Sequence, residues 1–356
     1  TIRIMAPDTG EGALFIDLVV YNGLIDYRQA CIPVREFAWE PVDADEVEPP
    51  VERPDRLTPE REEGMAKIAA ALSPGGTVAD SLADESMAEF SEQFAELQIA
   101  RGERSILGQP LVMNPGLYET AGVPDPPPTP SAMATLMREI AASWHRTEDE
   151  AQREQLAAWY LLMSDHLADQ GFVAGSGNRW GGYAGRRLAD AMLWMREPMR
   201  EAGRGEREAA YFDYNWGVST VLDRNAPLHV SLDQFGIIAP RKFRGCVMQP
   251  EPLDRAHWIA CFADRLSRMI LAQTRDGFKP DGSAYHHGSH YMAYASYNIP
   301  VLIRVIDALD DTPWEVMDDA LGRVKLYLTN LSFYSNLLDV PFSMHRIRAI
   351  CAWWNG

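Results

Sequence analysis

The sequence predicts a mainly α-helical fold of stacked antiparallel helix pairs, as in an (α/α) toroid or solenoid. Three observations carry this. From about residue 58 onward, apolar residues recur with a helical period in separate stretches: 58–72, 84–103, 131–146, 148–170, 183–202, 254–274, 289–308 and 314–336. The breaks between them are rich in Gly and Pro, and successive helices joined by loops fold back on one another. Hydrophobic residues make up 46% of the 356 positions, enough to bury a sizeable core.

Residues 1–37 alternate instead in the manner of strands. Ile2 and Ile4 precede the turn residues Asp8-Thr-Gly-Glu-Gly, and the run Ala13 to Tyr21 follows, so a β-hairpin is expected there. Two strands alone are marginal in water, so the hairpin needs a further surface to cover it. Residues 38–57 include the acidic, Pro-rich stretch Pro41 to Pro54, the composition of a linker. A helical domain over 58–356 is expected after it. Within that domain, the stretch ending near Gln170 carries Leu156, Trp159, Tyr160, Met163, His166 and Leu167 on one helical face, with Gly171 placed to follow its C-terminus. Val123 to Pro130 reads as a stiff polyproline-type connector. Gly175 to Gly182 is glycine-rich, but no Lys-Ser/Thr pair follows it, so it is not a phosphate loop.

The formal net charge of −18, from 33 basic and 51 acidic residues, disfavours nucleic acid and anionic membrane as partners. The acidic excess is concentrated near the N-terminus, leaving Arg179, Arg186, Arg187, Arg241, Lys242 and Arg244 able to furnish a local basic cleft. No run of about 18 apolar residues occurs. Thr1 opens inside an alternating apolar pattern with no initiator Met or signal peptide, so the chain reads as a trimmed piece of something longer. Cys31, Cys246, Cys261 and Cys351 lack zinc-ligand or disulfide-scaffold spacing and read as structural thiols.

The stretch most like a site is Arg275 to Tyr294, where three histidines and three tyrosines follow the turn dipeptides Asp276-Gly277 and Asp281-Gly282. A tight loop is expected to deliver His286, His287 and His290 onto the start of a helix capped by Ser289. On a helix running from His287, Tyr291 and Tyr294 follow at i+4 and i+7 and share its face, putting a base and hydroxyl donors in one cleft. The blander alternative is a pair of core tyrosines. No carboxylate lies at zincin spacing, so no metal is assigned to the histidines. Asn178, Arg179, Trp180 and Tyr183 offer an amide, a guanidinium and aromatic faces, groups that hold carboxylates and stack on sugar rings. His345 and Arg346 form a further pair near the C-terminus.

With these residues in view, the chain resembles the chondroitin and hyaluronan lyases of polysaccharide lyase family eight, within it the chondroitin-sulfate-ABC-lyase type. Leu161 to Ser176 is similar to the helix and loop leading to that family's substrate groove, and Asp276 to Tyr294 to its catalytic segment. Residues 1–37 resemble the end of its N-terminal β-sandwich. The resemblance implies an incomplete (α/α) toroid that cleaves chondroitin sulfate, dermatan sulfate or hyaluronan by β-elimination, leaving 4,5-unsaturated uronate ends. It implies Asn178 as the group neutralising the uronate carboxylate, His287 as the base on C5, and Tyr294 as the acid on the departing 4-oxygen, or as base for the opposite C5 configuration. Arg346 would sit near the leaving group. The family's Gly-Arg-His order reads here as Met344-His345-Arg346, so either His345 or Arg346 fills that place. Trp180, Arg179, Tyr183, His286, Tyr291 and His345 would line the substrate site. His286 stands where the ABC type tends to have Arg. The family's C-terminal β domains, with a further Glu, have no counterpart before Gly356.

The implied partner is an acidic glycosaminoglycan, met by a secreted or periplasmic monomer that needs no cofactor, with a structural or activating calcium left open. Two alternatives stand beside this reading. One is an (α/α) toroid glycoside hydrolase, which needs two carboxylates; Asp276 and Asp281 are the acids near the expected site, and both read as turn residues. The other is an inactive glycan-binding fragment.

Overall fold

The computed structural model describes residues 42–43, 46–102, 106–112, 115–120, 122, 127–170 and 185–334. The β-hairpin expected over 1–37, the Gly-rich loop at 175–182 and the residue expected to stop the fifth helix, Gly171, lie outside them. The described chain is mainly helical, as expected: α1 (Pro59–Ala71), α2 (Asp84–Glu96), α3 (Pro115–Thr120), α4 (Pro130–Arg146), α5 (Glu150–Asp169), α6 (Leu188–Trp194), α7 (Arg196–Glu201), α8 (Gly205–Trp216), α9 (Ala239–Val247), α10 (Pro252–Leu271), α11 (Met292–Leu309) and α12 (Asp318–Tyr334). Two small antiparallel sheets interrupt them: β1 (Ala100–Arg101) with β2 (Ile106–Leu107), and β3 (Gly277–Phe278), β4 (Ala284–His286) and β5 (Ser289–His290) in that order.

The starts of the helices follow from local chemistry. Thr58, Thr129 and Asp149 are extended, and each accepts a hydrogen bond from a backbone N–H of the first turn, at 3.4, 3.1 and 2.9 Å. Pro59 and Pro130 follow two of these caps, where a missing N–H costs nothing. The three residues between α4 and α5 fold the second helix back on the first. Met133, Met137 and Ile140 of α4 are buried in the same core as Leu156, Tyr160 and Met163 of α5. Between α9 and α10, Phe243 stacks on Phe262 at 5.0 Å; truncating either ring to Ala would cost about 3–5 kcal/mol.

Three expected helices change shape for identifiable reasons. The stretch 84–103 stops at Glu96: Gln98 turns to φ 52°, and the chain enters the β1–β2 hairpin. The stretch 183–202 is broken at Met195, because the ring of Pro198 clashes with the carbonyl of residue 194 and cannot donate to it. That carbonyl is satisfied instead by His145 Nε2 at 3.0 Å. The stretch 289–308 begins only at Met292. Two helices, α8 and α9, fall outside the stretches expected from the sequence. Helix α8 buries Glu208 and Asp213 beside Tyr211 and Phe212, and this buried polarity obscures its period.

Polar contacts fix the segment before α1 and the end of α5. Val51 O accepts from His257 Nε2 at 2.8 Å, Glu48 O from Arg224 N at 2.9 Å, and Arg53 pairs with Asp254 at 2.7 Å. At the C-terminal end of α5, Asp165 receives Arg204 through two bonds of 2.8 and 2.7 Å and Arg207 at 2.9 Å, while Glu208 receives Arg207 and Ser164. Burial pushes the Asp165 carboxyl up, but Arg204 and Arg207 together outweigh it and hold the group below its ordinary range. For the fully enclosed Glu208 burial wins over Arg207 and Ser164, and its carboxyl is raised.

His145, His166 and His257 share one arrangement: each Nε2 sits 2.8–3.0 Å from a backbone carbonyl, and burial lowers the ring below its ordinary value. A lowered folded-state value means that the unfolded chain takes up protons first. The stabilising contribution is therefore complete above the unfolded value of about 6.5 and is lost as pH falls through the folded values. Thermal melting between about pH 7.5 and 5 should show a falling midpoint below about 6.5, with a shallower slope in His166→Gln; equal slopes in the two proteins would contradict this account.

Candidate active site

The stretch 275–294 forms a compact three-stranded sheet rather than a loop running straight into a helix. Phe278 pairs with Ala284 across a five-residue loop, in which Asp281 Oδ1 accepts from Ser283 N at 2.9 Å and Ser283 Oγ at 2.7 Å. These bonds from Ser283 hold the Asp281 carboxyl below its ordinary range. Phe278 and Ala284 are buried, with Phe278 stacked on Phe235 at 5.1 Å. His286 pairs with Ser289, so the chain reverses in two residues, His287 at φ 54° and Gly288 at φ 72°. Positive φ at both central positions marks the tight hairpin turn whose twist suits flanking strands. Histidine is among the non-glycine residues that tolerate this region.

Two neighbours clamp the turn. Gly288 N donates to Asp276 Oδ1 at 2.6 Å, and Arg275 Nη2 donates to His287 O at 3.4 Å. The Arg275 guanidinium lies so close that a Cβ on Gly288 would meet its Nε at 1.9 Å. Ser289 is therefore a strand residue, not a helix cap, and His287, Tyr291 and Tyr294 do not share a helix face. Tyr291 precedes α11 with φ −147° and ψ 62°, and Tyr294 lies in the helix's first turn.

The hairpin sorts the histidines. Side chains alternate across a strand, so His286 turns inward, 2% exposed, while His287 stands exposed at the tip. His290 pairs with Tyr285 across the strands, their rings 5.6 Å apart. The inward ring of His286 lies 4.5 Å from that of Tyr294 and nearly parallel to it, at 8°, and 3.9 Å from that of His287. Tyr291 and Tyr294 are 5.0 Å apart. His286, His287, Tyr291 and Tyr294 thus form one aromatic and imidazole cluster, spanning an exposed tip and a buried floor.

A carboxylate completes the cluster. Tyr294 Oη donates to Asp233 Oδ1 at 2.6 Å, and the other oxygen, Oδ2, lies 3.7 Å from His286 Nε2. Asp276 and Asp281 are thus not the only acids here. Asp233 immediately precedes a wide π-helical turn, Gln234–Ile238, that runs directly into α9. Such turns leave backbone carbonyls badly aligned; Arg241 Nη1 caps those of Gly236 and Ile237 at 3.0 and 2.8 Å. Burial lowers Arg241 to about 10.

The expected basic cleft is correspondingly reduced. Besides Arg241, Arg244 is paired with Asp190 at 2.5 Å, and Lys242 donates to Thr220 Oγ1 at 2.7 Å. Arg187 donates to Thr135 Oγ1, while Arg186 is exposed. Asn178, Arg179, Trp180, Tyr183, His345 and Arg346 lie outside the described residues. The structure accordingly brings together His286, His287, Tyr291 and Tyr294 of the expected site and adds Asp233, which no motif in the sequence singles out.

Comparison with known proteins identifies the family. The chain is 27% identical over 214 residues to chondroitin sulfate ABC endolyase of Proteus vulgaris, covering 57% of this chain and 21% of that protein. It is 28% identical over 224 residues to chondroitin sulfate ABC exolyase of Bacteroides thetaiotaomicron, covering 59% and 21% respectively. The chain therefore spans about a fifth of the length of these lyases. Among solved structures, chondroitin AC lyase of Streptomyces coelicolor A3, in complex with chondroitin sulphate, superposes with a TM-score of 0.54 at 16% identity, over 81% of this chain and 38% of that one. At that identity the likeness is one of fold. Residues 56–346 match the family model described as "Lyase, catalytic", and the chain belongs to this family, the catalytic domain of polysaccharide lyase family eight.

Proposed function

We propose that the protein is a lyase that cleaves uronate-containing glycosaminoglycans, chondroitin sulfate foremost, by β-elimination. The observation that carries the reading is the cluster at the β4–β5 turn: an exposed imidazole, His287, on a clamped tip, and Tyr294 on a rigid helix, both rings packed against His286. The elimination needs a base for the weakly acidic C5 proton and an acid for the departing 4-oxygen. A neutral imidazole is available as base near neutral pH, and a phenol retains a proton to give. Asn178 would neutralise the uronate carboxylate, and His345 or Arg346 would stand near the leaving oxygen. The named relatives act in their own right as chondroitin sulfate lyases, which supports the substrate class. A polymeric substrate also suits a protein that works outside the cytoplasm.

A glycoside hydrolase would need two carboxylates free to flank a scissile bond. The acids at this cluster are instead engaged by the protein itself: Asp233 by Tyr294, Asp276 by Gly288 N and Asp281 by Ser283.

Incubation with chondroitin sulfate should generate the near-ultraviolet absorbance of a C4=C5 double bond. In His287→Ala and Tyr294→Phe that rate should fall by about 10²–10⁴-fold with the fold retained. Undiminished rates in both variants, or chain shortening without absorbance, would refute the reading. Gly288→Ala probes the clamp, since the added methyl collides with Arg275 at a positive-φ position. The melting point should drop by a few degrees, for a cost of about 1–3 kcal/mol, and turnover should fall more than that loss explains, because His287 is displaced.

A further inference from the structure

We infer that Asp233 is the positioning residue for Tyr294, holding the phenol neutral and aimed until the glycosidic oxygen departs; the inference rests on the lyase reading above. Four observations converge. The Oη–Oδ1 separation of 2.6 Å is that of a hydroxyl donating to a carboxylate. The second carboxylate oxygen faces His286 Nε2 at 3.7 Å, and the His286 ring lies flat against Tyr294. Asp233 thus holds the hydroxyl while its neighbour packs against the face of the ring. Third, the placement is built into the backbone. A Cβ on Gly236 would come within 1.9 Å of Asn298 Oδ1, and Asn298 Nδ2 donates to Tyr294 O at 3.2 Å. The π-helical turn is thereby docked on α11 one helical turn beyond Tyr294. Fourth, Asp233 is not sealed in the core, its side chain being 32% exposed, so it borders the open side of the cluster.

The chemistry follows from where the proton rests. A phenol beside an anionic acceptor is disfavoured from ionising, since its phenolate would face a second negative charge. It therefore reaches the reaction with its proton in place. In the elimination His287 takes the C5 proton, the electrons of that bond form C4=C5, and the C4–O4 bond breaks. As charge builds on O4, the Tyr294 hydroxyl leaves Asp233, its O–H bond breaks and O4 receives the proton. The phenolate then recovers a proton, by way of solvent, from the imidazolium of His287, which leaves no net change in the enzyme. In this scheme Asp233 touches neither C5 nor O4 and acts through Tyr294 alone.

The test compares two substrates in the full chain: chondroitin sulfate, whose leaving oxygen needs a proton, and a synthetic uronate with an aryloxy group at C4, whose phenolate leaving group does not. In Asp233→Asn, kcat on the polymer should fall at least about tenfold with KM within about twofold, while kcat on the aryloxy substrate falls by less than about threefold. His287→Ala should lose both activities, since both need C5 deprotonation. Equal losses on the two substrates in Asp233→Asn, or none, would overturn the role of Asp233 while leaving the lyase reading intact. A wild-type chain that forms no double bond from either substrate would overturn the lyase reading and this inference with it. Should Asp233→Asn fail to fold, Asp233→Glu decides: a folded variant that spares the aryloxy substrate but slows on the polymer supports the role, and equal rates or equal losses exclude it.

Discussion

The reversal at His287 and Gly288 is the constraint from which the site's geometry follows. Two consecutive residues at positive φ return β5 alongside β4 with no spare length. The pleat then leaves no choice about direction: His286 goes to the interior and His287 stays at the tip. The same economy delays α11 until Met292, placing Tyr294 in its first turn, where the helix's own hydrogen bonds fix the backbone. A non-glycine residue in the left-handed region costs about 1–2 kcal/mol, so the conformation at His287 persists only because its surroundings enforce it. Asp276 binds the turn from below, Arg275 flanks it, and Phe278 and Ala284 anchor its strands in the core.

A second constraint is electrostatic. The chain is strongly acidic, yet the groups around its described interior are matched almost residue by residue. Asp165 is shared between Arg204 and Arg207, Asp190 between Arg138 and Arg244, and the carbonyls of the π-helical turn fall to Arg241. Pairs of this kind are weak evidence for stability, because desolvation offsets much of the attraction. Their value lies in geometry, since Arg204 and Arg207 tie the segment at α8 to α5, and Arg138 and Arg244 join α4 and α9 to α6 through Asp190. Arginines that sequence reasoning sets aside for a substrate cleft are in fact holding helices together. Asp165 and Glu208 share Arg207 yet shift in opposite directions, because burial prevails at the fully enclosed Glu208 and the two guanidinium partners prevail at Asp165.

Helices with a clean apolar stripe, such as α4 and α10, were legible in the sequence because burial on one face imposes a period of its own. Helix α8 was not, since it hides Glu208 and Asp213 in the core, where a period count scores them as surface. The break at Pro198 was readable in principle; its tolerance depended on His145, which is distant in sequence and answers the carbonyl that the proline leaves bare. At the site, residue types were legible and geometry was not. Asp276-Gly277 and Asp281-Gly282 announced turns correctly, but the reversal two residues after His286 carries only a His-Gly signature, easily read as the run-up to a helix. Asp233 gave no local signal at all. Its role depends on the close approach of Gly236 to Asn298, a contact between segments some sixty residues apart.

The division of labour proposed for the two adjacent histidines follows from their burial. A group that takes a proton from a polymer must be reached by that polymer and must return the proton to solvent afterwards. His287, exposed at a tip whose backbone is pinned, satisfies both demands without paying for freedom of the main chain. His286 satisfies neither; enclosed among Tyr294, His287 and Asp233, it supplies packing to the ring that must stay oriented. The floor gives rigidity and the tip gives access, and both come from one strand alternation. Shifting the hairpin's register by a single residue would exchange the two imidazoles and bury the one proposed as the base, and the bond from Gly288 N to Asp276 holds the register against that exchange.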